Sequence, residues 1–261
     1  MVGKIVQANS AEDVWSYHGE HMREFGFDRL LYTSTRFRMH GLFGDIADAI
    51  MLSSHHPDFL KAFDGTDLYI HSPTTSWLQK NVGALSWQVA WDRFASSDLT
   101  EGEKRVKELY KQWDITAGYT ISLNRVDDRS LCTMGLCGER GLSQGALDAI
   151  WKESGETIIL LNNIMHLKML ALPQLGQRRT LTPRQREVLQ WVADGKTVQD
   201  IADIMSLKPS TVEKHLRLAR AALNVETTAQ AVLKASLRNQ LFLLNKFDLP
   251  ATFNQPDTSS E

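Results

Sequence analysis

Between residues 181 and 242, apolar residues recur at helical spacing in four short runs, and polar residues mark where each run starts. The runs predict helices over Pro183–Ala193, Val198–Leu207 and Thr211–Leu223, and a fourth from Thr227/Thr228 to about Asn239. The first stops at Asp194-Gly195, a glycine C-cap. Ile201 and Ile204 point the second inward. Val212, Leu216, Ala219 and Leu223 recur along the third, and Ala231, Val232, Ala235 and Leu237 along the fourth. Three starts read as capping boxes: Thr182-Pro183-x-Gln185, Thr197-x-x-Asp200 and Ser210-x-x-Glu213, with Lys208-Pro209 as the turn before the last. Short helices with fixed starts and tight turns are the signature of a helix-turn-helix.

The preceding residues alternate differently. Ser10 opens a helix that runs to about Glu24. Leu30–Thr35 and Arg36–His40 read as short strands, and Phe43–Ser53 follows helical spacing. Pro57–Phe63 and Pro73–Lys80 read as short helices or turns, and Gly102–Trp113 as a helix. Tyr119–Asn124 and Leu131–Cys137 form a predicted hairpin through Asp127-Asp128. A long helix over Ser143–Ala171 carries a broad apolar face through Ile150, Ile158, Leu161, Met165 and Leu167–Met169. One edge of that face packs on the sheet, and a second would suit dimerisation. The prediction is an α+β chain: an N-terminal α-β-α sandwich over residues 1–172, a linker over 173–180, an all-α four-helix domain over 181–245 and a flexible tail over 246–261.

Charge sharpens this division. Residues 1–176 hold 17 Lys/Arg against 22 Asp/Glu, residues 177–246 hold 12 against 6, and residues 247–261 hold 3 carboxylates and no cation. A net charge of −2 therefore hides a basic module beside an acidic one, as expected of a nucleic-acid-binding domain joined to another function. The composition, 43% hydrophobic and 23% charged, is that of a globular protein, and the longest apolar runs are too short to span a bilayer. With no secretory leader pattern, a cytoplasmic location is expected. Cys132 and Cys137 read as reduced core residues, and the scattered histidines, His18/His21 and His55-His56 included, as ordinary core or surface side chains, so no metal site is expected. No Gly-rich phosphate loop or nucleophile elbow is present, so an enzyme is not expected.

The third helix of the basic module is the expected recognition helix. Lys214 and Arg217 lie on its open face and can reach guanine edges. Thr197, Lys208, Ser210, Thr211 and Arg220 lie near helix ends or edges, where phosphates would be contacted. The segment resembles the C-terminal domain of LuxR-type transcriptional regulators. The resemblance rests on Leu181-Thr182-Pro183-Arg184-Gln185, Leu189, Gly195-Lys196-Thr197, Ile201-Ala202, Thr211-Val212-Glu213-Lys214-His215 and Leu223-Asn224-Val225, across about 60 residues. Gln185 stands where that family carries glutamate. Glutamine still completes a capping box, while a charge-dependent role there, such as a contact with RNA polymerase, is put in doubt.

The N-terminal half resembles, more loosely, the acyl-homoserine-lactone-binding domain of quorum-sensing receptors. The similarity rests on Gly26-Phe27-Asp28 before Leu30-Leu31-Tyr32, on Ser72-Pro73 followed by Trp87, and on Trp113-Asp114-Ile115 with Gly118. It implies a ligand site at Phe59, Phe63, Ser72 and Trp87, with Thr133 added from the strand Leu131–Cys137. Phe59, Phe63 and Ser72 stand where the family places tryptophan, tyrosine and aspartate. Phe59 has no N–H to donate, and Ser72 accepts without charge.

The expected function is a homodimeric transcriptional regulator that binds double-stranded DNA in response to a small molecule, an acyl-homoserine lactone, with no other cofactor. The alternatives are an orphan regulator acting without a lactone or with another small molecule, and a heterodimerising anti-activator.

Overall fold

The structure is a computed structural model, and it describes residues 2–35, 49–63, 65–66, 68–78, 80–123, 130–173 and 181–242. It divides into two compact units, Met1–Leu172 and Pro173–Glu261. The expected strand at Arg36–His40, the Asp127-Asp128 turn, nearly all of the 173–180 linker and the 246–261 tail lie outside the described residues.

The first unit opens with helices α1 (Val2–Gln7) and α2 (Ala11–Glu24). Ser10 caps α2 by accepting from the Asp13 amide at 3.0 Å. Strands β1 (Phe27–Thr35) and β2 (Ile50–Ser53) follow, then α3 (Pro57–Phe63), a 3-10 turn at Leu68–His71 and α4 (Thr75–Leu78). Next come β3 (Gly83–Ser86), α5 (Gln88–Phe94), α6 (Glu101–Gln112), β4 (Gly118–Ser122), β5 (Leu131–Gly138) and the 28-residue α7 (Gln144–Ala171). The strands form one antiparallel sheet in the order β2-β1-β5-β4-β3, with the expected β4–β5 hairpin near its centre.

Four elements of the first unit, α1, β2, β3 and α5, correct the sequence reading. Residues 50–53 of the presumed helical stretch Phe43–Ser53 form a strand, and residues 43–48 are not described. Pairing with β1, Leu31 opposite Ser53 through Ser34 opposite Ile50, decides the conformation of this short apolar run. The helix α1, the edge strand β3 and the helix α5 were not anticipated. β3 is four residues long with no alternation of burial, and α5 starts at Trp87 without a side-chain cap.

The sheet works as a partition because side chains alternate along each strand. Leu30, Tyr32, Tyr119, Ile121, Cys132, Met134 and Leu136 face a core completed by Val14 and Met22 of α2 and by Leu147, Ile158, Leu161 and Met165 of α7. Leu31, Thr33, Thr120, Thr133 and Gly135 face the other way. A second core lies on that side, built from Phe59, Leu68, Trp87, Ala90, Phe94, Val106, Leu109 and Tyr110. The helical layers on the two faces make the α-β-α sandwich. Two polar pairs are sealed into the α2–α7 layer: His18 Nε2 with Asn162 Oδ1 at 3.0 Å, and the Tyr32 hydroxyl with His166 Nδ1 at 2.9 Å. Burial pushes the His18 imidazole down to about 4.

The second unit holds α8 (Pro183–Ala193), α9 (Val198–Met205), α10 (Pro209–Leu223) and α11 (Thr228–Leu237). Val188, Leu189, Ile201, Val212, Leu216, Ala219, Leu223, Ala231 and Ala235 form its core. The capping boxes of Thr182 with Gln185 and Thr197 with Asp200 are present, and Thr227 with Gln230 forms another. The third expected box is not. α10 begins at Pro209, two residues earlier than expected, with Lys208 as an N-cap that makes no side-chain bond. Proline fits the first helical turn because the N–H it lacks has no partner there. Ser206, left-handed at φ 55°, ends α9 and reverses the chain.

Candidate ligand cavity and nucleic-acid interface

A cavity of about 100 Å³ lies against the second face of the sheet. Its floor is Leu31 and Thr33 from β1, Thr120 from β4, and Thr133 and Gly135 from β5. Its walls include Phe59 and Phe63 from α3, Tyr69, Ser72, Thr75, Trp87 and Tyr110 from α6. All five residues picked out in the sequence, Phe59, Phe63, Ser72, Trp87 and Thr133, line this one space. They come together because the period-two floor of the sheet, with Thr133, meets Phe59 and Phe63 of α3, Ser72 after the 3-10 turn and Trp87 at the start of α5.

The polar groups of the cavity are mostly hydroxyls bonded to one another. Ser72 Oγ lies 3.1 Å from Thr74 Oγ1 and 3.3 Å from the Tyr110 hydroxyl. Thr33 and Thr133 pair across β1 and β5 at 2.6 Å. Trp87 Nε1 donates to Thr120 Oγ1 at 2.8 Å, so its N–H is already engaged. The Trp87 ring lies directly on Gly118, where a Cβ would overlap both the ring and the Leu136 carbonyl oxygen. Among the described residues, the lining holds no carboxylate, lysine or arginine.

Two titratable groups face the cavity in fixed states. Burial pushes the Tyr110 hydroxyl up to about 12, so it remains a neutral donor. Burial, with the Arg29 charge nearby, pushes His55 down to about 4, so its imidazole is neutral and can offer one donor and one acceptor. His55 stacks on Phe59 at 4.7 Å, and Phe59 on Phe63 at 5.4 Å. Sequence reasoning missed His55, Thr33, Thr120, Tyr69, Thr74, Thr75 and Tyr110. The same-face rule applied from Thr133 would have found Thr33 and Thr120 had the strand register been known. Tyr110 gives no such signal, because it reads as an ordinary apolar position of an amphipathic helix.

On the second unit, α10 buries Val212, Leu216, Ala219 and Leu223 and leaves Ser210, Glu213, Lys214 and Arg217 exposed. Ser210, Glu213, Lys214, Arg217 and Arg220 share one surface depression. Lys208 is exposed at the start of the helix and Thr211 is half-buried. Arg220 is half-buried too and donates from Nη1 to Thr228 Oγ1 at 3.0 Å, which ties α10 to α11. Thr197 spends its hydroxyl on its own cap: it accepts from the Asp200 amide at 3.2 Å and donates to Asp200 Oδ2 at 2.7 Å. The amide and hydroxyl of Thr197 hold the Asp200 carboxyl below the usual carboxylate range. Among the described residues, no group of three or more His, Cys, Asp or Glu is placed to hold a metal, and no helix is long and apolar enough to cross a membrane.

The first unit is thus a sandwich beside a small, mainly apolar cavity, and the second a helix-turn-helix with an open cationic helix face. Comparisons with known proteins assign the two units to known domain families. The model of the autoinducer binding domain matches residues 10–169, and that of the luxR family of bacterial regulatory proteins matches residues 179–235. The first covers more than half of the chain, and the chain belongs to the LuxR family of transcriptional regulators that carry an autoinducer-binding domain. The chain is 31% identical to the HTH-type quorum sensing-dependent transcriptional regulator RpaR of Rhodopseudomonas palustris over 138 residues, 53% of this chain and 54% of that protein. The match therefore spans about half the length of RpaR. It is 25% identical over 179 residues to the transcriptional activator protein EchR of Dickeya chrysanthemi, 65% of this chain and 69% of that protein. A structure of Escherichia coli SdiA aligns with 92% of this chain and 95% of that one, at 16% identity and a TM-score of 0.49.

Proposed function

We propose that this chain is a homodimeric, cytoplasmic transcriptional regulator whose first unit senses an acyl-homoserine lactone and whose α10 reads DNA. The observation that carries this reading is the convergence of Phe59, Phe63, Ser72, Trp87 and Thr133 on one mainly apolar cavity. A ligand there completes the packing of the second core and stabilises the fold by mass action. The dimer then holds two copies of α10 about one helical turn apart on a near-palindromic site, with Lys214 and Arg217 on base edges and Lys208, Ser210, Thr211 and the Thr197 end of α9 toward phosphates. RNA polymerase is the partner expected at a promoter.

A second reading is favoured by the cavity itself. About 100 Å³ is well below the roughly 300–1,000 Å³ of drug-sized sites, and the hydroxyls are already paired with one another. On this reading the protein works without a lactone, or with a smaller uncharged molecule. Thermal unfolding of the full chain with lactones of increasing acyl length separates the two. A saturating lactone at about a hundred times its dissociation constant is expected to add about 2.7 kcal/mol. Indifference of the melting temperature to every chain length, with mass spectrometry of the purified protein finding no co-purified lactone, sinks the lactone reading.

A further inference from the structure

The start of α10 changes the role of Glu213. As the third residue of a capping box it would bond back to an amide, but α10 starts at Pro209 and the N-cap Lys208 makes no side-chain bond. Glu213 instead stands exposed in the second turn of the helix. Among the described residues its carboxylate has no side-chain hydrogen bond or ion pair, even with Arg217 one turn on, where a Glu–Arg pair would be favourable. It lies with Ser210, Lys214, Arg217 and Arg220 in the same depression. Ser210, Glu213, Arg217 and Arg220 follow one another at spacings of 3, 4 and 3, a single stripe along the helix.

A carboxylate on a surface that meets phosphates is repelled by them. It becomes favourable only over base edges, where Glu accepts from the exocyclic amine of cytosine. We infer that Glu213 is a base-reading residue of α10 that selects a C·G pair in each half-site. The inference rests on the reading of α10 as the recognition helix. Four residues on, Arg217 sits about 6 Å further along the helix axis, roughly two base-pair steps from Glu213. The guanine that Arg217 reads is therefore placed about two pairs from this cytosine.

The test is recovery of DNA crosslinked to the full-length protein in bacterial cells that make it, followed by competition binding with the enriched sequence. Four chains are compared: the parent, Glu213→Gln, Glu213→Ala and Arg217→Ala. Glu213→Gln is expected to change one position per half-site from cytosine to adenine, because an amide pairs with both donor and acceptor of adenine, and to weaken binding to the parent sequence about tenfold or more. Glu213→Ala is expected to lose the preference at that same position only. If both variants keep the parent's sequence preference and bind every DNA more tightly by the same factor, Glu213 only repels phosphates and the inference is overturned. If Arg217→Ala changes neither sequence nor affinity, or the parent enriches no sequence, the reading of α10 itself fails and takes the inference with it.

Discussion

The open cationic face of the second unit lies along one helix of fifteen consecutive residues, whereas the cavity draws on fragments scattered from Leu31 to Gly135. Lys214 and Arg217 of α10 are exposed, and neither side chain makes a hydrogen bond or ion pair among the described residues. Those of the cavity are themselves core: Phe59, Trp87 and Tyr110 are buried and packed on Phe94, Val106 and Leu109. The difference teaches where function and stability are separable. On α10 a side chain can be removed with little cost to folding. In the cavity every change touches binding and stability together.

The sharpest way to break that contrast is Gly118→Ala. The added Cβ has no room between the Trp87 ring and the Leu136 carbonyl, so the substitution should cost about 3 kcal/mol and lower the melting temperature by about 6–12 °C. An unchanged melting temperature would mean that Trp87 is not seated on the floor of the cavity.

An effect of similar size is expected from pH, and it belongs to the first unit alone. His18 is held neutral, with its folded value near 4 against about 6.5 unfolded. Between those values the unfolded chain binds more protons, so stability is full above pH 6.5 and falls as pH drops toward 4. The loss reaches on the order of 3 kcal/mol from His18, and His55 adds a loss of the same sign. Urea unfolding at pH 7.5 and pH 5 should show about 2 kcal/mol of the loss from His18, and His18→Asn should flatten the dependence.

Arg217→Ala or Lys214→Ala should weaken DNA binding by about 1–3 kcal/mol and relax specificity, with melting temperatures unchanged. A matching fall in melting temperature would erase the distinction between the two sites. The smallest expected effect is at the Thr33–Thr133 pair. Either Thr→Val change alone leaves one buried hydroxyl without its partner, at about 1 kcal/mol, while the double variant should cost less than the sum. Strict additivity in a double-mutant cycle would show that the two hydroxyls do not interact.

The same contrast explains what was legible in the chain. The second unit is held by local signals: capping hydroxyls three residues from their partners, a stripe recurring every three or four positions, and Gly195 at φ 79°. The start of α10 was misread where two local signals competed, because Pro209 and Ser210 each mark a helix start, and Ile204, expected to face inward with Ile201, is exposed. The first unit was legible where helices have caps, as at Ser10 and Ser143, and along the central hairpin. It was illegible where conformation is set by distant pairing, as in β2 and β3. Four of the five cavity residues were found through a family resemblance, and Thr133 through its place on the strand Leu131–Cys137. Tyr110 escaped because the cavity residues it meets, Ser72 at its hydroxyl and Phe63 at its ring, are far away in the chain.

Alternation along β5 has a consequence for how such a receptor can diverge. Thr133 and Gly135 face the cavity, while Cys132, Met134 and Leu136 face α2 and α7. A lineage can therefore retune what it detects through substitutions at every second position of one strand, and leave the packing of its longest helix as it was. The sheet keeps the two records apart, so chemical preference can drift on one side while the scaffold is inherited on the other.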